Sequence, residues 1–146
     1  MTELARYWTP EFTDSYIEAL NKDATFQSAA KSMRESIALR CLDTPDKTDC
    51  YLVYAIDRGR ISVAEWTEEP SPSSAVRNRA FSKRDALART TAPYDFWMRL
   101  DKKEVGVIDV IMSPDYRLEG AKLKVLRYLR VFNRMGDLAS ELPKSY

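Results

Sequence analysis

Apolar residues along this chain change their period twice, and that change limits the folds open to it. From Thr9 to Met33 they recur at helical spacing; from Ser36 to Trp66 they alternate or run together in β-branched and aromatic stretches; from Tyr94 onward the helical spacing returns. A chain that switches from period 3.6 to period 2 and back has to join helices to a sheet, so the expectation is an α+β domain over residues 1–146. Thr9 and Pro10 open the first helix, a capping hydroxyl before a proline at the first helical position. Phe12, Tyr16, Ala19 and Leu20 form its apolar face. Asp23 is placed to cap a second helix bearing Phe26, Ala29, Ala30 and Met33.

The strands are read as Ser36–Leu42, Cys50–Ile56 and Ile61–Trp66, joined by a turn at Pro45-Asp46 and a hairpin at Asp57-Arg58-Gly59. If the first hairpin is symmetric about Pro45 and Asp46, Cys41 and Cys50 lie opposite each other. In a reducing compartment they are expected as neighbouring free thiols. Glu68–Lys83, with Pro70, Pro72 and several serines, reads as a long loop. Asp85–Thr91 reads as a fourth strand and Asp115–Glu119 as a short fifth, closed by Gly120. Helices are expected over Tyr94–Leu100, Val105–Met112 and Ala121–Arg134, with Gly136 ending the last.

The residues present exclude several chemistries. The chain has no histidine, which removes His-based triads, Cys–His nucleophiles and His-containing zinc sites. Its four glycines are scattered, so no phosphate-cradling loop is formed. A formal net charge of +1 gives no global field for nucleic acid. Neither a metal nor a cofactor is expected. Apolar runs such as Tyr51–Ile56 fall far short of the roughly 20 residues of a membrane helix. The opening Met-Thr-Glu-Leu-Ala-Arg lacks the basic start and apolar run of a signal peptide, so a cytoplasmic location is expected.

Four stretches taken together resemble the sterol carrier protein (type two, lipid-transfer) family. They are Trp8-Thr9-Pro10-Glu11-Phe12 with Ala19-Leu20-Asn21-Lys22-Asp23; Ile56-Asp57-Arg58-Gly59-Arg60-Ile61; Ala92-Pro93-Tyr94-Asp95-Phe96-Trp97; and Tyr116-Arg117-Leu118-Glu119-Gly120-Ala121-Lys122-Leu123. The resemblance spans nearly the whole chain, through short and degenerate motifs. Glu68–Lys83 is longer and richer in Pro and Ser than that family's segment at the same place. The resemblance implies a five-stranded, mostly antiparallel sheet with helices mainly on one face. It also implies a hydrophobic tunnel for sterol, fatty acid or acyl-CoA, and carriage rather than transformation of lipid.

On that basis the expected ligand-binding residues are Trp97, Leu100, Ile108, Ile111, Met112, Leu126, Leu129, Phe132 and Met135. Apolar residues at such spacing are more often plain core. Lys124, Arg127, Arg130 and Arg134 fall on one face of the last helix and suit a transient contact with anionic membrane, although a solvated helix face is the commoner outcome. Arg77, Arg79, Lys83 and Arg84 form a second basic cluster. The carboxylate pairs Glu68-Glu69 and Asp137/Glu141 are the candidates for acid–base chemistry. Three classes stay open: a lipid carrier, an interaction domain with a filled core, and a small cyclase- or isomerase-type enzyme.

Overall fold

The structure, a computed structural model, describes residues 4–146 apart from the side chains of Val107, Ile108 and Ile111. Helix α1 (Pro10–Lys22) begins where the sequence puts it: Thr9 accepts from the Phe12 amide at 3.2 Å, with Pro10 in the first turn. Asp23 caps α2 (Ala24–Ala29) by accepting from the Phe26 amide at 2.8 Å. Strands β1 (Arg34–Leu42), β2 (Thr48–Asp57) and β3 (Arg60–Pro70) form the antiparallel meander. Its second turn, Arg58-Gly59, has φ of 50° and 87°, the doubly positive pair of a two-residue hairpin. A side chain at Gly59 is excluded twice over, since its Cβ would lie 2.9 Å from the Gln27 carbonyl oxygen. Cys41 pairs directly with Cys50, and both are buried free thiols.

The sheet order is β3-β2-β1-β4-β5, with β4 (Ala88–Pro93) parallel to β1 and β5 (Arg117–Gly120) antiparallel to β4. The sheet is therefore mixed, mostly antiparallel with one parallel pair. The parallel pair explains the long Pro/Ser segment. After β3 at one edge, the chain must cross over β2 and β1, about 5 Å per strand, to enter beside β1. It does so as an ordered crossover rather than a bare loop. Its first part extends β3 to Pro70, Ser73 then caps the single turn α3 (Ser74–Arg77), and the path is used up only at Leu87, whose amide donates to the Ser36 carbonyl. This is why the fourth strand starts at Ala88 and not at Asp85.

Helices α4 (Tyr94–Asp101) and α5 (Val107–Met112) precede β5. The expected helix Ala121–Arg134 is instead two helices, α6 (Lys122–Arg127) and α7 (Leu129–Glu141), broken at Tyr128. Gly136 lies inside α7 and does not end it. The tail returns to the N-terminus, where the Tyr7 amide donates to the Ser145 carbonyl and the Ser145 amide to the Ala5 carbonyl.

Alternation along β1 and β2 divides the interior. Ile37, Cys41, Cys50, Leu52, Tyr54 and Ile56 face α1, α4 and α7, whereas Ala38, Tyr51 and Val53 face the crossover through Val76, Ala86 and Phe81. The crossover is fastened by charge. Buried Asp49 accepts from the Asp43 and Ser73 amides and from Arg77 Nε at 2.7 Å. Arg40 and Arg89, both buried, lie on the adjacent parallel strands. Arg40 donates to the Val76 and Arg77 carbonyls, and Arg89 to the Arg79 carbonyl and both Glu119 oxygens.

Candidate functional site

Between the sheet and the helical layer lies a cavity of about 520 Å³, within the usual size of small-molecule sites. Its floor is sheet: Ile37 and Leu39 from β1, Leu52 and Tyr54 from β2, and Thr90 and Leu118 from β4 and β5. One wall is Phe12, Thr13 and Tyr16, which share a face of α1 through their i, i+1 and i+4 spacing. Trp97, Leu100 and Asp101 of α4 form a second wall, and Leu129, Phe132, Met135 and Gly136 of α7 a third. Val110 and Val125 contribute from the short helices.

Two features keep this layer open. The ring system around it is rigid: Phe12 stacks on Tyr16 at 6.0 Å, Trp8 meets Trp97 at 5.3 Å and Trp97 meets Tyr116 at 6.0 Å. On α7 the wall carries small Ala139, and at its exposed edge a Cβ built on Gly136 meets nothing within 4 Å. Exposed Lys103, Gly106, Asn133 and Gly136 also line the cavity and mark its mouth. A Lys103–Asp137 ion pair at 2.6 Å joins the two rims.

The interior is uncharged except at Asp101. That carboxylate is buried with Lys144, whose Nζ lies 2.6 Å from Oδ2, and Oδ2 also accepts from the Tyr146 hydroxyl. Burial pushes the phenols of Tyr7 and Tyr16 well above their ordinary range, with Asp101 adding to the shift. Burial alone raises Tyr54. The thiols follow the same rule: burial takes Cys41 well up and Cys50 to about 12. These groups are held neutral, without the depressed values of activated nucleophiles. Among the described residues, no group of three Cys or acidic side chains is placed to hold a metal ion.

Of the residues expected from the sequence, Trp97, Leu100, Leu129, Phe132 and Met135 are on the cavity wall. Met112 and Leu126 are not, being 79% and 54% exposed. On an unbroken helix Leu126 and Leu129 would share a face, but the break at Tyr128 changes the phase, and Val125 turns inward instead. Met112 ends α5, where Val110 is buried among the described side chains. The side chains of Ile108 and Ile111 lie outside the described residues. The sheet floor and the α1 wall are cavity lining that the sequence reading does not single out. A core residue and a cavity-lining residue have the same apolar pattern, so no local signal separates them.

The basic residues also divide. Arg134 is held by Asp23 at 2.7 Å and Glu141 at 3.7 Å, and Lys124 lies 3.7 Å from Glu35, whereas Arg127 and Arg130 are exposed. In the second cluster, Arg77 holds Asp49 and Asp43, and Arg79 pairs with Glu65 while lying 3.9 Å over the Tyr51 ring. Only Lys83 and Arg84 of that cluster reach a second depression, a shallow groove of about 580 Å³ where Arg34 and Arg58 share Asp57. Glu68 accepts from Thr48 on the outer edge, and Glu141 is spent on Arg134. Among the described residues, no helix is long and apolar enough to cross a membrane.

No family model and no curated protein matches this sequence. Solved structures do match it. A crystal structure of sterol carrier protein 2 superposes with a TM-score of 0.72 over 94% of this chain and 100% of that one, at 15% identity. The solution structure of a conserved protein from Thermus thermophilus, described as possibly a sterol carrier protein, gives 0.71 over 99% and 94%, at 14% identity. The apo form of sterol carrier protein 2 from Yarrowia lipolytica gives 0.51 over 92% and 97%, at 11% identity. The likeness is one of fold: the chain has the sterol carrier protein 2 architecture from end to end.

Proposed function

We propose that this chain, working as one domain with the sterol carrier protein 2 fold, binds an apolar small molecule in the cavity beneath α1, α4 and α7. It carries or presents that molecule without transforming it. The observation behind this reading is the 520 Å³ cavity itself, apolar on its floor and walls and opening at the Lys103–Asp137 rim. A tail burying about 300 Å² of apolar area there gains on the order of 7 kcal/mol before association costs of similar size, consistent with micromolar and not picomolar affinity. Trp97, Leu100, Leu129, Phe132 and Met135 are its expected contacts, joined by Leu52 and Tyr54 from the sheet. The neutral, raised phenols and thiols of the interior favour carriage over acid–base or nucleophilic chemistry.

Cargo collection fits the outer surface of α6. Leu123, at 84% exposed, and Leu126 present apolar side chains to solvent, with Lys122, Arg127 and, at the start of α7, Arg130 near them in sequence. No acidic residue occurs between Glu119 and Asp137. Such a surface suits shallow contact with an anionic bilayer, each basic side chain contributing about 1 kcal/mol near the surface.

Native mass spectrometry of the protein from its own host, followed by titration with fluorescent fatty acids and sterols, tests the carrier reading. The expected result is a co-purifying lipid or saturable micromolar binding. An empty protein with no saturable binding to any of them would falsify it and favour an interaction domain.

A further inference from the structure

Aromatic residues make up 11% of the chain, and half of them line the one cavity beneath α1, α4 and α7. They also touch one another. Between ring centroids, Tyr16 meets Phe12 at 6.0 Å, Phe12 meets Tyr7 at 5.5 Å and Tyr7 meets Trp8 at 6.4 Å. Trp8 then meets Trp97 at 5.3 Å, and Trp97 meets Tyr116 at 6.0 Å. Tyr54 extends this belt onto the sheet, 6.3 Å from Tyr16. The rest of the apolar lining is mainly aliphatic, with Leu52 and Leu118 on the floor and Leu129 and Met135 on α7.

The belt is fixed in place, and polar groups on it are already spent. The Tyr16 hydroxyl donates to the Met135 carbonyl at 2.7 Å, and Trp97 Nε1 donates to the Arg40 carbonyl at 3.2 Å. What these two residues offer the cavity is therefore ring, and not hydroxyl or N–H. A cation is supplied as well. Lys144 Nζ lies 5.6 Å from the centre of the Tyr7 ring and 5.3 Å from that of Phe12. A second positive charge, brought by a ligand, would be repelled there.

An aromatic ring has a negative face and a positive edge, so two rings attract through offset stacking or edge-to-face contact, beyond the area they bury. A belt ring that presents either its face or its edge can therefore serve an aromatic ligand. A saturated chain or ring gains only the area and its dispersion contacts. Resting on the reading of the cavity as a site for an apolar molecule, we infer that its ligand is a neutral molecule carrying a planar aromatic ring system. The ring system lies against the belt, and the aliphatic lining is left for any alkyl substituent.

The test is calorimetric titration of the whole protein with 2-naphthol and with trans-decahydro-2-naphthol at neutral pH, where both are uncharged. The two share one carbon skeleton and one hydroxyl and differ in aromaticity. The saturated compound is the more hydrophobic, so burial of area alone ranks it first. Instead, 2-naphthol is expected to bind about tenfold more tightly, the effect of two ring contacts. Phe12→Leu removes one ring of the belt and keeps an apolar side chain. There 2-naphthol should weaken about threefold to tenfold, while its saturated partner changes little. The wild-type comparison stands by itself should that variant fold poorly. Equal or tighter binding of the saturated compound, or equal losses of both in Phe12→Leu, overturns the ring assignment and leaves the carrier reading intact. Saturable binding of a fatty acid or sterol but of neither naphthol compound does the same. Saturable binding of none of these removes the carrier reading, and the assignment with it.

Discussion

The two faces of the sheet are covered by the same chain in opposite ways. The helical face is apolar, and its covering elements touch the sheet through large rings and aliphatic side chains that leave a space. The crossover face is a thin apolar layer sealed by Arg40, Arg77, Arg79 and Arg89, each tied to a named carbonyl or carboxylate. Apolar contact has no preferred direction, so helices can stand off from a sheet and remain stable as long as most of their area is buried. A buried guanidinium allows no such latitude, because every unmet N–H is costly. The face built on direction is closed, and the face built on area holds the cavity.

The strongest way to break this contrast is at Asp49. Asp49→Ala leaves two amides and Arg77 without their shared acceptor, and is expected to cost about 3 kcal/mol, read as a lowered urea midpoint. The same residue sets an acid limit. Burial opposes its charge, but Arg77 and the Ser73 and Asp43 amides outweigh burial and hold the carboxyl at about 2. A folded value below the unfolded one, near 4, gives stability that is complete above about pH 4 and is lost as the pH falls toward 2. That loss amounts to about 2–3 kcal/mol. Asp49→Asn should flatten the pH–stability curve in this window relative to wild type. An unchanged slope would show that the crossover is not held by this charge.

A change on the open face should behave differently. Gly136→Leu adds a side chain where a Cβ meets nothing within 4 Å, on the cavity rim. Leucine also suits a helix interior better than glycine, by about 0.8 kcal/mol. Lipid binding should fall at least about tenfold, given that overfilling a packed site costs about 1–3 kcal/mol, while thermal stability holds or rises. A strongly destabilised variant would mean that the rim is packed and not open.

The smallest expected effect lies outside both faces. Arg127→Glu with Arg130→Glu should leave the folding free energy within about 0.5 kcal/mol of wild type, since both side chains are exposed. Sedimentation with phosphatidylserine-containing vesicles should fall several-fold, and Arg134→Glu should instead destabilise the α2–α7 contact through the loss of its Asp23 pair. Equal vesicle binding by wild type and the double variant would remove α6 and the start of α7 as the membrane surface.

Local signals announced much of the frame. Thr9 and Asp23 cap the helices that their place in the sequence assigns them, Gly59 makes the turn, and Cys41 meets Cys50 because the first hairpin is symmetric. These features depend on residues within a few positions of one another, which is where sequence carries its physics directly. Three other features depend on distant partners. The pairing of β4 alongside β1 is parallel, reached by a crossover that binds Asp49 and Arg40 across the back of the sheet. The last helix breaks at Tyr128 and runs on through Gly136, taking Leu126 out of the cavity wall and bringing Val125 in. The space between the layers exists because rings such as Phe12, Tyr16, Trp97 and Tyr116 prop apart surfaces that the apolar pattern alone would let close. Period and capping are set by neighbours along the chain, and they determined which segments are helix and which are strand. Whether an apolar residue lies in packed core or faces an empty space is set by what stands opposite it, and only the tertiary structure decided that.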